Sequence, residues 1–171
     1  MKAKTLRVYF DSILVCALMS LVVGRAIAQT REMRLDDLAK KAEAIVVGKV
    51  SSVRSEWNKE RTRIYTKVTL DVGEYVKGDK PTSTLVITQL GGEVDGVGEF
   101  YTHTPRFSKE EEVLLFVKKD KRDNFIIEGG EQGKFKVTRD DMTGEKMIQA
   151  GLSLKMFTSR LKKMIQQHEM R

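Results

Sequence analysis

Residues 90–107 read LGGEVDGVGEFYTHTPRF and gather most of the side chains in this chain that could do chemistry. Glycines at 91, 92, 96 and 98 suggest first a phosphate cradle, in which backbone N–H groups close around an anion. Neither G-x-G-x-x-G nor G-x-x-x-x-G-K-[ST] is present, and no strand–loop–helix context surrounds the stretch. Positive φ or a close backbone approach explains such glycines better. Glu93, Asp95 and Glu99 carry oxygens suited to calcium, but the D-x-D-x-D-G spacing is missing. His103 and His168 are the only histidines, too few for a three-histidine zinc site, and His168 is expected near a frayed terminus. His103 could act as a base beside a serine and an aspartate, yet no G-x-S-x-G elbow presents a nucleophile. The carboxylate groups at Asp36/Asp37, Asp140/Asp141 and Glu110 to Glu112 fall in segments expected to be solvated. The chain therefore reads as non-catalytic, with no metal and no cofactor.

Recognition is the chemistry that remains. FYTHTPRF sets Phe100, Tyr101, His103, Arg106 and Phe107 around Pro105, which stiffens the backbone. Tyrosine and arginine offer large contact area and directed hydrogen bonds. Trp57, expected at a hairpin tip, is a second exposed aromatic. The binding candidates are Trp57, Glu93, Tyr101, His103 and Arg106. A competing expectation makes the same stretch a long crossover over the open end of a barrel, plugged by Phe100 and Phe107. Two other functions stay open: a secreted hydrolase using His103, and a structural envelope protein that pairs through a strand edge.

The hydrophobic periods indicate what positions these residues. RLDDLAKKAE (34–43) places Leu35, Leu38 and Ala42 at helical spacing, with acids early and lysines late, which complements the helix dipole. From Ala44 the period falls to two. AIVVGKVSSV reads as a strand, and Gly48 inside it as a bulge or sharp bend. SEWNKERT reads as a hairpin loop, RIYTKVTLDVGEYVKG as a second long strand closed by Gly78 to Pro81, and STLVITQL as a third. After the glycine stretch and the charged turn SKEEE come VLLFVKK, FIIEG and GKFKVTRD as three more strands; MIQAG is too short to assign. SLKMFTSRLKKMIQQHE puts Leu154, Phe157, Leu161, Met164 and Ile165 on one face of a closing helix, with Ser153 as its cap. That helix should dock on the strands. The expectation is a mainly β fold: a small five- to six-stranded barrel with a short N-terminal helix and an amphipathic C-terminal helix.

The first 28 residues follow different rules. Lys2, Lys4 and Arg7 precede an apolar run from Ile13 to Val23, and Ala26-Ile27-Ala28 supplies the small residues of a cleavage site. Residues 1–28 read as a cleaved signal peptide, and 29–171 as one domain. Cys16, the only cysteine, lies in the signal, so no disulfide framework is available. Residues 1–28 hold four of the 31 Lys/Arg and one of the 24 Asp/Glu, which leaves 27 basic against 23 acidic residues beyond them. A balance of +4, dispersed among acids, does not make the cationic stripe of a nucleic-acid binder. The expected setting is periplasmic or extracellular, with no transmembrane segment after signal cleavage. The expected partner is an envelope or extracellular protein or glycan, not nucleic acid.

The segments Ile45 to Val50, Val68 to Gly78 and Glu112 to Phe116 carry a resemblance. Over about residues 44–137 the chain resembles the oligonucleotide/oligosaccharide-binding (OB) type of barrel, and within it the netrin-like modules related to tissue metalloproteinase inhibitors. It is also similar to a group of uncharacterised secreted bacterial proteins with a GGEVxGVG…PRF stretch. These are packing motifs, so the resemblance implies a fold more than a chemistry. Such inhibitors chelate a catalytic zinc with an N-terminal cysteine; no cysteine follows residue 28 here, so that mechanism does not carry over.

Overall fold

The computed structural model describes residues 33–78, 82–148 and 151–170. The signal peptide expected at 1–28 lies outside them, as do residues 79–81 of the expected strand closure. The described chain is mainly β. Helix α1 (Leu35–Lys41) opens it, with Asp36 and Asp37 in its first turn and Lys40 and Lys41 in its last, burying Leu38 and Ala39. Strands β1 (Ala44–Trp57) and β2 (Ile64–Lys77) then pair antiparallel over their whole length. The first hairpin is tighter than expected. Ser55, Glu56 and Trp57 belong to β1, opposite Thr66, Tyr65 and Ile64, and Asn58 Oδ1 closes the turn by accepting from the N–H groups of Thr62 and Arg63.

The remaining strands are β3 (Thr84–Leu90), β4 (Gly92–Val94), β5 (Val97–Glu99), β6 (Glu112–Lys119), β7 (Phe125–Ile127), β8 (Lys134–Arg139), β9 (Lys146–Ile148) and β10 (Leu152–Ser153). A short 3-10 turn, Gly130–Gly133, precedes β8, and helix α2 (Leu154–Glu169) ends the chain. The main sheet runs β1-β2-β3-β7-β6-β8-β9-β10, and β6 also pairs with β1 from Ala44↔Val117 to Lys49↔Glu112. Five strands, β1-β2-β3-β7-β6, thus close into a ring. Every neighbour pair in it is antiparallel except β3 and β7, which run parallel and pair at one position, Ile87↔Phe125.

Alternation on the two shared strands builds two cores. Val46 and Val50 of β1 and Val113, Leu115 and Val117 of β6 face the ring interior with Val68, Leu70, Leu85 and Ile87. Ile45, Val47, Leu114 and Phe116 point the other way, under α1 and α2. Both faces of these strands are therefore covered, which is why VLLFV is an unbroken apolar run. Gly48 sits at a register shift between β1 and β2. A Cβ there would stand 2.5 Å from Asp71 O, so the bulge needs glycine for close approach.

Helix α2 docks as its apolar face requires, burying Leu154, Phe157 and Leu161. The Phe157 ring lies 5.3 Å from Phe135, which lies 5.8 Å from Phe116. Two expectations at this end change. Ser153 makes no capping bond; its hydroxyl donates to Glu145 Oε1 at 2.5 Å instead. His168 is not loose, because its Nε2 lies 2.6 Å from Asp36 Oδ1 in the first turn of α1, and this bond holds the Asp36 carboxyl below its ordinary range. Among the described residues no helix is long and apolar enough to cross a membrane.

Candidate functional site

The stretch at 90–107 is not an open loop throughout. β4 and β5 form a hairpin, Gly92↔Glu99 to Val94↔Val97, whose turn is Asp95-Gly96 with φ of 53° and 77°. Two positive φ values in sequence define the tight hairpin turn that Asp-Gly favours. An Asp-Gly pair flanked by valines is a strong hairpin signal, and the glycine content obscured it.

The base of this hairpin is fixed to β1 and β2. Gly91 N–H donates to Ile64 O at 2.8 Å, and Thr66 Oγ1 donates to Gly91 O at 2.6 Å. Gly92 has φ +138°, and a Cβ on it would lie 2.3 Å from Ser55 Oγ and 2.4 Å from Thr66 Oγ1. Glycine is thus required by both backbone conformation and space. Glu99 supplies the polar half of the latch. Its Oε2 accepts from Ile64 N–H at 2.8 Å, and its Oε1 accepts from Tyr101 OH at 2.5 Å and Arg63 Nη1 at 2.7 Å. The Ile64 amide, then Tyr101 and Arg63, draw the Glu99 carboxyl from its ordinary 4.5 down to about 2. The same contact with Glu99 pushes the Tyr101 phenol up.

This shift predicts a pH dependence. A carboxyl held lower in the folded chain than in the unfolded one stabilises the fold above about pH 4.5 and loses that effect as pH falls towards 2. Urea titrations should therefore find Glu99→Gln less stable than the parent at pH 6, with the gap closing between pH 4.5 and 2. A gap that is independent of pH would remove the ionised latch.

Beyond the latch the chain carries its exposed groups. Phe100 is 70% exposed, and the Arg106 guanidinium carbon sits 5.8 Å from its ring centroid. Phe107 turns inward against the ring core, with Lys134 Nζ 4.4 Å from its centroid and paired to Glu111 at 2.9 Å. The expected plug is therefore half present: Phe107 caps the ring interior, whereas Phe100 faces solvent.

Two clefts flank residues 104–105. One, about 250 Å³ at the ring mouth, is lined by Val53, Leu90, Phe100, Tyr101 and Arg106. The other, about 410 Å³, is lined by Tyr65, Leu90, His103, Arg122, Asn124 and Ile126. Gln89, Leu90, Thr104 and Pro105 belong to both. Gln89 Nε2 donates to Pro105 O at 3.1 Å and pins the segment, while Gln89 Oε1 is buried without a hydrogen-bond partner among the described residues. His103, at φ +67°, is held through its backbone: its carbonyl accepts from Glu131 N–H at 2.9 Å, and a Cβ on Gly130 would lie 2.4 Å from that oxygen.

Of the five candidates, Tyr101 and Arg106 share the mouth cleft and His103 lines the larger one. Trp57 is half-buried at the end of β1 opposite Ile64, and Glu93 is exposed on β4 opposite Gly98; neither lines these two clefts. Leu90, Gln89, Arg122 and Ile126 were not legible, since only the meeting of β3, β7 and the 103–105 segment brings them together. Asp120, which lines the same cleft as His103, accepts from Asn124 N–H at 2.9 Å and Arg122 N–H at 2.8 Å, and these bonds hold its carboxyl low. Among the described residues no group of three or more His, Cys, Asp or Glu could hold a metal ion.

A scan against protein-family models finds no match for this chain, and a search of the curated proteins finds none.

Proposed function

We propose that this is an exported, non-catalytic binding or accessory module of OB/netrin-like type that recognises a protein or glycan through residues 91–107. The observation that carries the reading is an exposed aromatic held in place: Phe100 stands in solvent under Arg106, on a segment latched at Glu99 and pinned at Pro105. A preorganised aromatic–arginine pair loses little entropy on binding. The ring order β1-β2-β3-β7-β6 with one parallel pairing supports the OB kinship. A hydrolase centred on His103 has weaker support, because the carboxylate of Asp120, which shares its cleft, has its Oδ1 engaged in its own turn.

The test compares the parent protein with Phe100→Ala/Arg106→Ala on a glycan array and on immobilised envelope extract. Both side chains are exposed, so the two proteins should melt together. The variant should lose about 2 kcal/mol or more of binding free energy for whatever the parent retains. Equal retention by both proteins would remove this loop from recognition.

A further inference from the structure

The larger cleft lies along an unfinished seam in the five-stranded ring. At the two ends of β3, Ser83 and Gly91 mark the bonding register with β2, through Val72 N–H to Ser83 O and Gly91 N–H to Ile64 O. Odd-numbered residues of β3 therefore bond to β2, and the N–H and C=O groups of Thr88 and Leu90 point to the opposite edge. On β7, Glu128 N–H donates to Phe116 O, so even-numbered residues bond to β6 and Ile127 points its main chain towards β3. The parallel ladder between these edges has one paired position, Ile87↔Phe125. Its next rung would join Thr88 C=O to Ile127 N–H and Ile127 C=O to Leu90 N–H. That rung is not among the pairings, and a cleft of about 410 Å³ is lined there by Thr88 and Leu90 of β3 and Ile127 of β7.

Two strand edges facing each other across a gap select their occupant. A sugar or a compact small molecule cannot present alternating donors and acceptors to both sides, whereas an extended polypeptide does so every second residue. The outer wall adds chemistry for its side chains. Tyr65, Leu90, Pro105 and Ile126 make an apolar surface. At the rim, in the turn between β6 and β7, Lys119 pairs with Asp123 and Lys118 with Glu128. Arg122 lines the cleft and Lys121 precedes it, and no ion pair engages either among the described residues. Asp120, which lines the cleft too, has its Oδ1 taken by the N–H groups of Asn124 and Arg122, so two unpaired cations stand where an incoming chain would pass.

We infer that the β3–β7 seam takes an extended peptide segment of a partner protein as an added strand, with an apolar side chain on the Leu90–Ile126 wall and acidic residues at the Lys121–Arg122 rim. This rests on the recognition reading above and assigns its partner class as protein. The seam is distinct from the Phe100–Arg106 surface, although Leu90 and Pro105 border both.

The probe is the acetylated, amidated hexapeptide of alternating glutamate and valine, titrated into the 15N-labelled protein. Binding should slow hydrogen exchange at the Leu90 and Ile127 amides by about tenfold or more. Methylating alternate peptide nitrogens should weaken binding by about tenfold for one of the two registers, because it removes a main-chain donor and leaves the side chains. Replacing glutamate by lysine should weaken it further in low salt. Three results would overturn the inference: no binding by any of these peptides, binding that leaves both amides unprotected, or equal affinity for the methylated forms. Phe100→Ala/Arg106→Ala separates the two readings. If envelope capture fails in that variant while the parent's seam amides ignore the peptide, recognition stands and strand addition falls. If the peptide protects the seam and the variant captures as the parent does, strand addition stands and the loop surface falls.

Discussion

Phe116→Ala is expected to lower the unfolding free energy by about 3–5 kcal/mol, a large share of what a domain of this size possesses. Phe116 is wholly buried, yet it does not lie in the ring interior. It belongs to the outer core, where its ring meets Phe135 at 5.8 Å and, through it, Phe157 of α2. Truncation would leave a cavity between a central strand, which cannot move without breaking its ladders to β1 and β7, and a helix that could shift inward only by giving up Leu161. The measurement is urea unfolding followed by far-UV circular dichroism, with Phe116→Leu as the volume-conserving control expected to cost about 1.5 kcal/mol or less. Equal losses for both variants would mean that the ring–helix contact, not the cavity, sets the cost.

Gly48→Val should be comparably damaging for a different reason. Its Cβ would fall 2.5 Å from Asp71 O and 2.9 Å from the Leu70 side chain, and the nearest obstacle is backbone. Relief requires β1 and β2 to separate at the point where β1 also pairs with β6 through Gly48↔Val113. A loss of about 3 kcal/mol or more is expected, at the upper end of overpacking costs. Gly73→Val is the matched control, since a Cβ there would meet only Val47 O at 3.8 Å. If both glycines tolerate valine equally, the bulge is not a point of close approach.

Where the periodicity was strong, the sequence already contained the fold. The alternation in β2, the apolar run of β6 and the α2 stripe of Leu154, Phe157 and Leu161 each reflect burial that a local pattern can record. Gly48 could be read as a bulge because a lone glycine in a β-branched strand has few other uses. The site was legible only in part. Tyr101, His103 and Arg106 stood out by type, but the role of Glu99 depends on Ile64 and Arg63, which lie some 35 residues away and are joined to it only by the folded hairpin. The seam left no local trace. Thr88, Leu90 and Ile127 are ordinary strand residues, and what sets them apart is a rung that does not form.

Closure of the ring also fixes an order of assembly. β1, β2 and β3 follow one another as a meander and can pair as soon as they leave the ribosome. The other edge of β1 must wait for β6, because Ala44 pairs with Val117 about 70 residues later. Until then Ile45, Val46 and Val47 lie on an open, apolar edge of the kind that recruits a second chain. A nascent or truncated chain ending near Glu110 is therefore the species most prone to aggregate, and the folding rate should be governed by how quickly β6 reaches that edge. A holdase that covers β1 would protect this protein during synthesis more effectively than one that covers its termini.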